Sequence, residues 1–143
     1  MSKLLFLIGF IWALPITLLA FIFYVGPLWA LGKYKQTGWN EVAFIWRIEV
    51  NDNTWFDRIL ARLWRGWAGH ALGNIVVLKS TATEKTVVHE KEHVKQMMKL
   101  GPLHLVIYGL IYLVGRFVLS NVDGYRDNIF EIDARRKAEQ KSE

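Results

Sequence analysis

The chain has 143 residues, a net charge of +5 and no cysteine. That length suits one compact domain. The missing cysteines exclude disulfides and thiolate chemistry, and the charge, without a basic block or an aromatic-basic repeat, excludes nucleic acid as the expected partner and suits an anionic membrane surface.

Hydrophobic residues make up 52% of the chain and aromatic residues 14%, more than a soluble protein usually carries. The excess is concentrated at the start. From Leu4 to Leu31 the only ionisable side chain is that of Tyr24, and a helix of that length exceeds the ~30 Å of hydrocarbon in a bilayer. The run is about twice a signal-peptide core and has no clear small-x-small site before Lys33, so it predicts an uncleaved membrane span. Pro15 and Gly26-Pro27 mark a kink or an end, which would leave a span of roughly residues 4–25 and an interfacial tail carrying Trp29. Lys33 and Lys35 outweigh Lys3, so the positive-inside bias puts the remainder on the cytoplasmic side. Two units follow, an N-terminal transmembrane anchor over 1–31 and a domain over 32–143.

Residues 32–38 read as a polar linker. Over 41–50, Val42, Phe44, Trp46, Ile48 and Val50 alternate with the other positions, the period of a half-buried strand. Asn51-Asp52-Asn53 marks a turn. From Trp55 to Trp67 the pattern becomes helical, with an aromatic face and an arginine face that suit either a membrane interface or the domain core. Residues 71–79 read as a second strand. Thr81-Ala82-Thr83-Glu84 has capping-box form and Gly101-Pro102 is a stop signal, which predicts a helix over about 82–100. An apolar segment over 103–119 follows, then a loop over 120–124 and a last helix starting near Asn128.

The helix over 82–100 carries His89-Glu90-Lys91-Glu92-His93. Positions i and i+4 share a helix face, so two imidazoles in H-E-x-x-H can reach one metal ion, with the glutamate beside it as a general base. On the helical wheel His89, His93, Gln96 and Leu100 adjoin an apolar arc of Val87, Val94, Met97 and Met98. Lys91, Glu92, Lys95 and Lys99 fall on the opposite side. Catalytic zinc needs a third protein ligand and an open position. Glu131 is the expected third ligand, with Asp133 and Asp127 as substitutes if the register differs and a plain Asn128-x-x-Glu131 cap as the alternative use of the same residues. If Glu131 joins the histidines, the 103–119 segment cannot cross a membrane once, and it becomes a buried or membrane-dipping helix. Gln96 is placed to hydrogen-bond near the site, His70 to orient substrate or serve structure, and Tyr125 to act as an electrophilic donor. His104, at the start of an apolar helix, reads as a packed or interfacial histidine.

His89-Glu90-Lys91-Glu92-His93-Val94-Lys95-Gln96, followed by Tyr125-x-x-Asn128-x-Phe130-Glu131-x-x-Ala134, resembles the gluzincin branch of zinc metallopeptidases. It is similar in particular to small membrane-anchored bacterial and phage proteins of that pattern. The resemblance covers roughly residues 70–138. It implies an α+β, mostly helical chain in which the transmembrane helix is followed by a small zincin-like domain with a short β-sheet and the H-E-x-x-H helix. It further implies Zn2+ held by His89, His93 and Glu131, Glu90 as the base, and peptide bonds in a peptide or protein as the substrate. The residues left for two walls of a cleft are few, so a protein partner that completes the cleft, or a non-catalytic metal-stabilised membrane scaffold or assembly protein, is the alternative expectation.

Overall fold

The apolar N-terminal run folds as one nearly continuous helical segment in the computed structural model, which describes residues 3–40, 42–48, 55, 58–59, 62, 65–119 and 122–140. Helix α1 covers Lys3–Ala20, a π-helical turn covers Phe21–Val25, and α2 covers Gly26–Ala30. Pro15 lies within α1 without ending it. Gly26-Pro27 does not end the helix either, because Gly26 N–H donates to the Phe21 carbonyl in π register, one way to fit a proline whose ring would otherwise crowd the preceding turn. The segment Lys3–Ala30 is long and apolar enough to cross a membrane.

Strand β1 (Tyr34–Asn40) occupies most of the expected linker. It pairs antiparallel with β2 (Ala43–Ile48), with a register shift between Gln36 and Gly38. β1 is a sheet edge, held by backbone pairing that requires no apolar alternation, so its polar sequence hides it. The single strand expected over 71–79 is a hairpin, β3 (Gly69–Leu72) and β4 (Ile75–Lys79), joined at Gly73-Asn74. Gly73 has φ +62°, the positive value that a two-residue hairpin turn requires. β2 and β4 run parallel, giving a sheet of order β1-β2-β4-β3. Of the expected 55–67 helix, Trp55, Arg58, Ile59 and Arg62 are helical, and most of the remainder lies outside the described residues, as do Asn51-Asp52-Asn53.

Helices α3 (Glu84–Leu100), α4 (Leu103–Phe117) and α5 (Ile129–Gln140) complete the chain. Thr83, inside the expected capping box, is the N-cap of α3 and accepts from Thr86 N–H. Gly101 closes α3 at φ +57°, and α4 departs at 115°. Asn128 caps α5 through a bond from Phe130 N–H to its Oδ1 at 3.1 Å.

Both faces of the sheet are covered, and the N-terminal helix belongs to both layers. Ala20, Val25 and Leu28 pack with Trp46, Ile75 and Val77 on one face, while Ala13 joins Ala43, Val76, Leu78, Val94 and Met98 on the other. α1 lies against α3 so closely that a Cβ at Gly9 would sit 2.8 Å from the Met98 carbonyl oxygen. Between the layers Thr17 Oγ1 accepts from Asn74 N–H at 2.8 Å, and Asn74 Nδ2 donates to the Phe10 carbonyl at 3.0 Å. A Cβ at Gly73 would strike Thr17. Gly73→Ala therefore combines that clash with a left-handed backbone cost of about 1–2 kcal/mol. Denaturant unfolding should show a loss larger than that, and a loss of the backbone cost alone would mean that α1 is not docked on the turn.

Candidate metal centre

α3 is buried on more sides than an amphipathic surface helix, because α1, the β3–β4 hairpin and α5 all pack on it. Glu92, expected on the solvent side, is only 3% exposed. Its oxygens meet Lys95 Nζ at 2.5 Å and Lys137 Nζ at 3.4 Å, and Lys137 also pairs with Asp133 at 2.7 Å. The helical wheel could not show this, since the covering surface is α5. The ion pairs fix α5 alongside α3 and so set the height of Glu131 against the two histidines.

His89 Nε2 and His93 Nε2 are 3.1 Å apart. Glu131 Oε2 lies 3.3 Å from the first, and Oε1 lies 3.2 Å from the second. A tetrahedral ion with bonds of about 2.0–2.1 Å spaces its ligands about 3.3 Å apart. Each histidine meets a different oxygen of Glu131 near that spacing, and one ligand atom from each of the three residues lies within 4.8 Å of the others. Glu131 Oε2 is buried, and its 3.3 Å contact with His89 Nε2 lacks hydrogen-bond geometry, which leaves an oxygen that a cation would satisfy.

The tautomer of His93 follows from its neighbour. Gln96 Nε2 donates to the Phe130 carbonyl at 3.1 Å and to Asp133 Oδ2 at 3.1 Å, so Gln96 Oε1 is left to face His93 Nδ1, at 2.9 Å. Nδ1 must then carry the proton, and the Nε2 lone pair points at the site. Outer hydrogen bonds of this kind are worth about 10–100-fold in metal affinity. Gln96→Leu should weaken zinc binding by about that factor in a competition titration, and an unchanged affinity would remove Gln96 from the support of the site.

Electrostatics follow from burial and these contacts. Burial pushes Glu90 up to about 7, opposed by His93 and His89. Burial raises Glu131 too, but its close contacts with His89 and His93 outweigh it and hold the carboxyl well below its usual range. Burial depresses His93, while its contacts with Glu131 dominate and raise it. His70 is lowered to about 4 by burial and stays neutral.

A cavity of about 890 Å³ opens on the three donors, with Glu90, His70 and Tyr125 in its wall. β3 supplies another side through Gly69, His70 and Ala71. Gly69 is there for a reason, since a Cβ would fall 3.1 Å from Glu90 Cγ. His70 is set by rings, Tyr24 at 5.4 Å and Trp67 at 5.7 Å between centroids.

The substitutes Asp133 and Asp127 are engaged away from the three donors, Asp133 with Gln96 and Lys137 and Asp127 with Asp123 N–H. One site residue escapes the sequence reading, and a second, His104, is read there only as packed or interfacial. Tyr108 OH donates to Glu131 Oε1 at 2.8 Å. His104, expected to be packed, is 3% exposed but reaches the cavity wall, and neither of its ring nitrogens has a hydrogen-bond partner among the described residues. Their i, i+4 spacing on α4 was the available signal, though an apolar helix offers no reason to favour it.

No family model, no curated protein and no solved structure matches this chain.

Proposed function

We propose that the chain is a membrane-anchored zinc metallopeptidase of gluzincin type, with His89, His93 and Glu131 holding Zn2+ and Glu90 as general base. The observation that carries this reading is the convergence of one donor atom each from His89, His93 and Glu131 to within 4.8 Å of one another, in a cavity that also holds Glu90. Zinc in that position supplies Lewis acidity to a carbonyl and acidifies water. Glu90 takes the proton from the attacking water and passes it to the leaving amine. His104 and Tyr125, both in the cavity wall, offer hydrogen-bond donors. An extended peptide is the substrate class that the wall favours, because β3 is the sheet edge and its backbone groups can pair with an added strand. The charges after α2 favour a cytoplasmic site.

The test is elemental analysis with a hydrolysis assay on unstructured peptides. Wild type is expected to carry zinc and cut, while His89→Ala and Glu131→Ala lose both metal and activity. Wild-type protein that takes up no zinc on titration ends the reading. Zinc without any hydrolysis would instead favour a metal-stabilised membrane scaffold, in which the ion joins α3 to α5.

A further inference from the structure

Helix α4 has two unlike faces. His104 and Tyr108 turn inward to the cavity. Val106, Leu110, Leu113 and Phe117, spaced 4, 3 and 4 residues apart, form an outward stripe in which each residue is 49–75% exposed. A helix of a soluble protein places polar residues there.

The fold decides how such a helix can meet a membrane. α3, which precedes it, carries Lys91, Lys95 and Lys99, and α5, which follows it, brings Glu131 to 3.3 Å from His89. Both ends of α4 therefore lie on one side of any bilayer. Its fifteen residues also rise only about 22 Å, less than the ~30 Å of hydrocarbon. A crossing is excluded. The start of α4 is next to α1, because a side chain at Gly101 would run into the Trp12 ring, itself half exposed. Ile8 and Ile11, which neighbour Trp12 on α1, are themselves exposed. The apolar surface thus continues from α1 to α4.

We propose that α4 lies in the plane of the membrane, its outward stripe in the lipid of one leaflet and its inward face forming a wall of the cavity. The reacting centre then sits about one helix diameter, ~10 Å, from the acyl chains. Its substrate is a polypeptide held at the same membrane surface. That last step rests on the hydrolase reading above, whereas the placement of α4 does not.

The chain has no cysteine, so single cysteines can be introduced at Val106, Leu110, Leu113 and Phe117, spin-labelled and reconstituted into phosphatidylcholine–phosphatidylglycerol vesicles, with Lys85 as a solvent control. Oxygen should relax the four α4 labels more than a water-soluble nickel chelate does, and the order should reverse at Lys85. A Leu110 label reached by the chelate, or shielded from both reagents by a second copy or another protein, overturns the proposal. In the unmodified protein, a lipid with a carbene precursor in its acyl chain should label the 103–119 peptide, and no label there counts equally against it. For the substrate, one peptide is offered free and tethered to the vesicle. Tethering should raise the rate at micromolar peptide by about tenfold or more through effective concentration. Equal rates overturn the substrate half. If neither peptide is cut, the hydrolase reading and its substrate fall together, while the labels still decide the helix.

Discussion

Glu90→Gln is expected to keep zinc and to lose hydrolysis by about 10²–10⁴-fold, the range that general acid–base groups contribute. The amide has nearly the shape of the carboxylate, so it should fit the same space against β3, where Gly69 leaves room for the side chain. It is not one of the three clustered donors, so metal content should not fall. What it cannot do is accept a proton from water. Elemental analysis and a peptide assay on the same preparation separate these effects. Turnover within a factor of a few of wild type would show that Glu90 is a buried packing residue and that the base lies elsewhere.

Removing the metal should matter nearly as much for stability as losing Glu90 does for rate. His89 and His93 come from α3 and Glu131 from α5, so an ion bound to all three bridges two helices that otherwise meet through side-chain packing, the Glu92–Lys137 and Lys85–Glu139 pairs and the bonds that Gln96 donates to Phe130 and Asp133. With free zinc at a thousand times its dissociation constant, binding stabilises the folded state by about 4 kcal/mol. For a chain of this size that corresponds to a fall in Tm of roughly 10 °C on chelation. His93→Ala should melt at the chelated value and be indifferent to EDTA. Equal melting of wild type with and without EDTA would mean that the cluster holds no ion in solution.

The site was legible where its chemistry is local. His89, Glu90 and His93 share one helical turn, and Thr83 and Gly101 mark the helix ends in plain letters. Glu131 was reachable because a zinc site demands a third ligand, and the structure brings it to the histidines. The misses share a different cause. β1 is polar and is defined by its partner strand, the Gly73-Asn74 turn is hidden inside a run that reads as one strand, and Glu92 is buried by a helix whose Lys137 lies far away in sequence. His104 and Tyr108 sit on a helix whose apolar letters advertise lipid and conceal its inner face. Periodicity reports how an element is sided, and it is silent on which neighbour covers each side.

The contact between Asn74 and Thr17 spans 57 positions of sequence. The N-terminal helix leaves the ribosome well before the hairpin that must rest on it, so the flank that bears Thr17 has to stay uncommitted until Asn74 has been made. Sheet completion is thus a late step of assembly, and a chain trimmed of its first thirty residues would lose the surface on which Trp46, Ile75 and Val77 close.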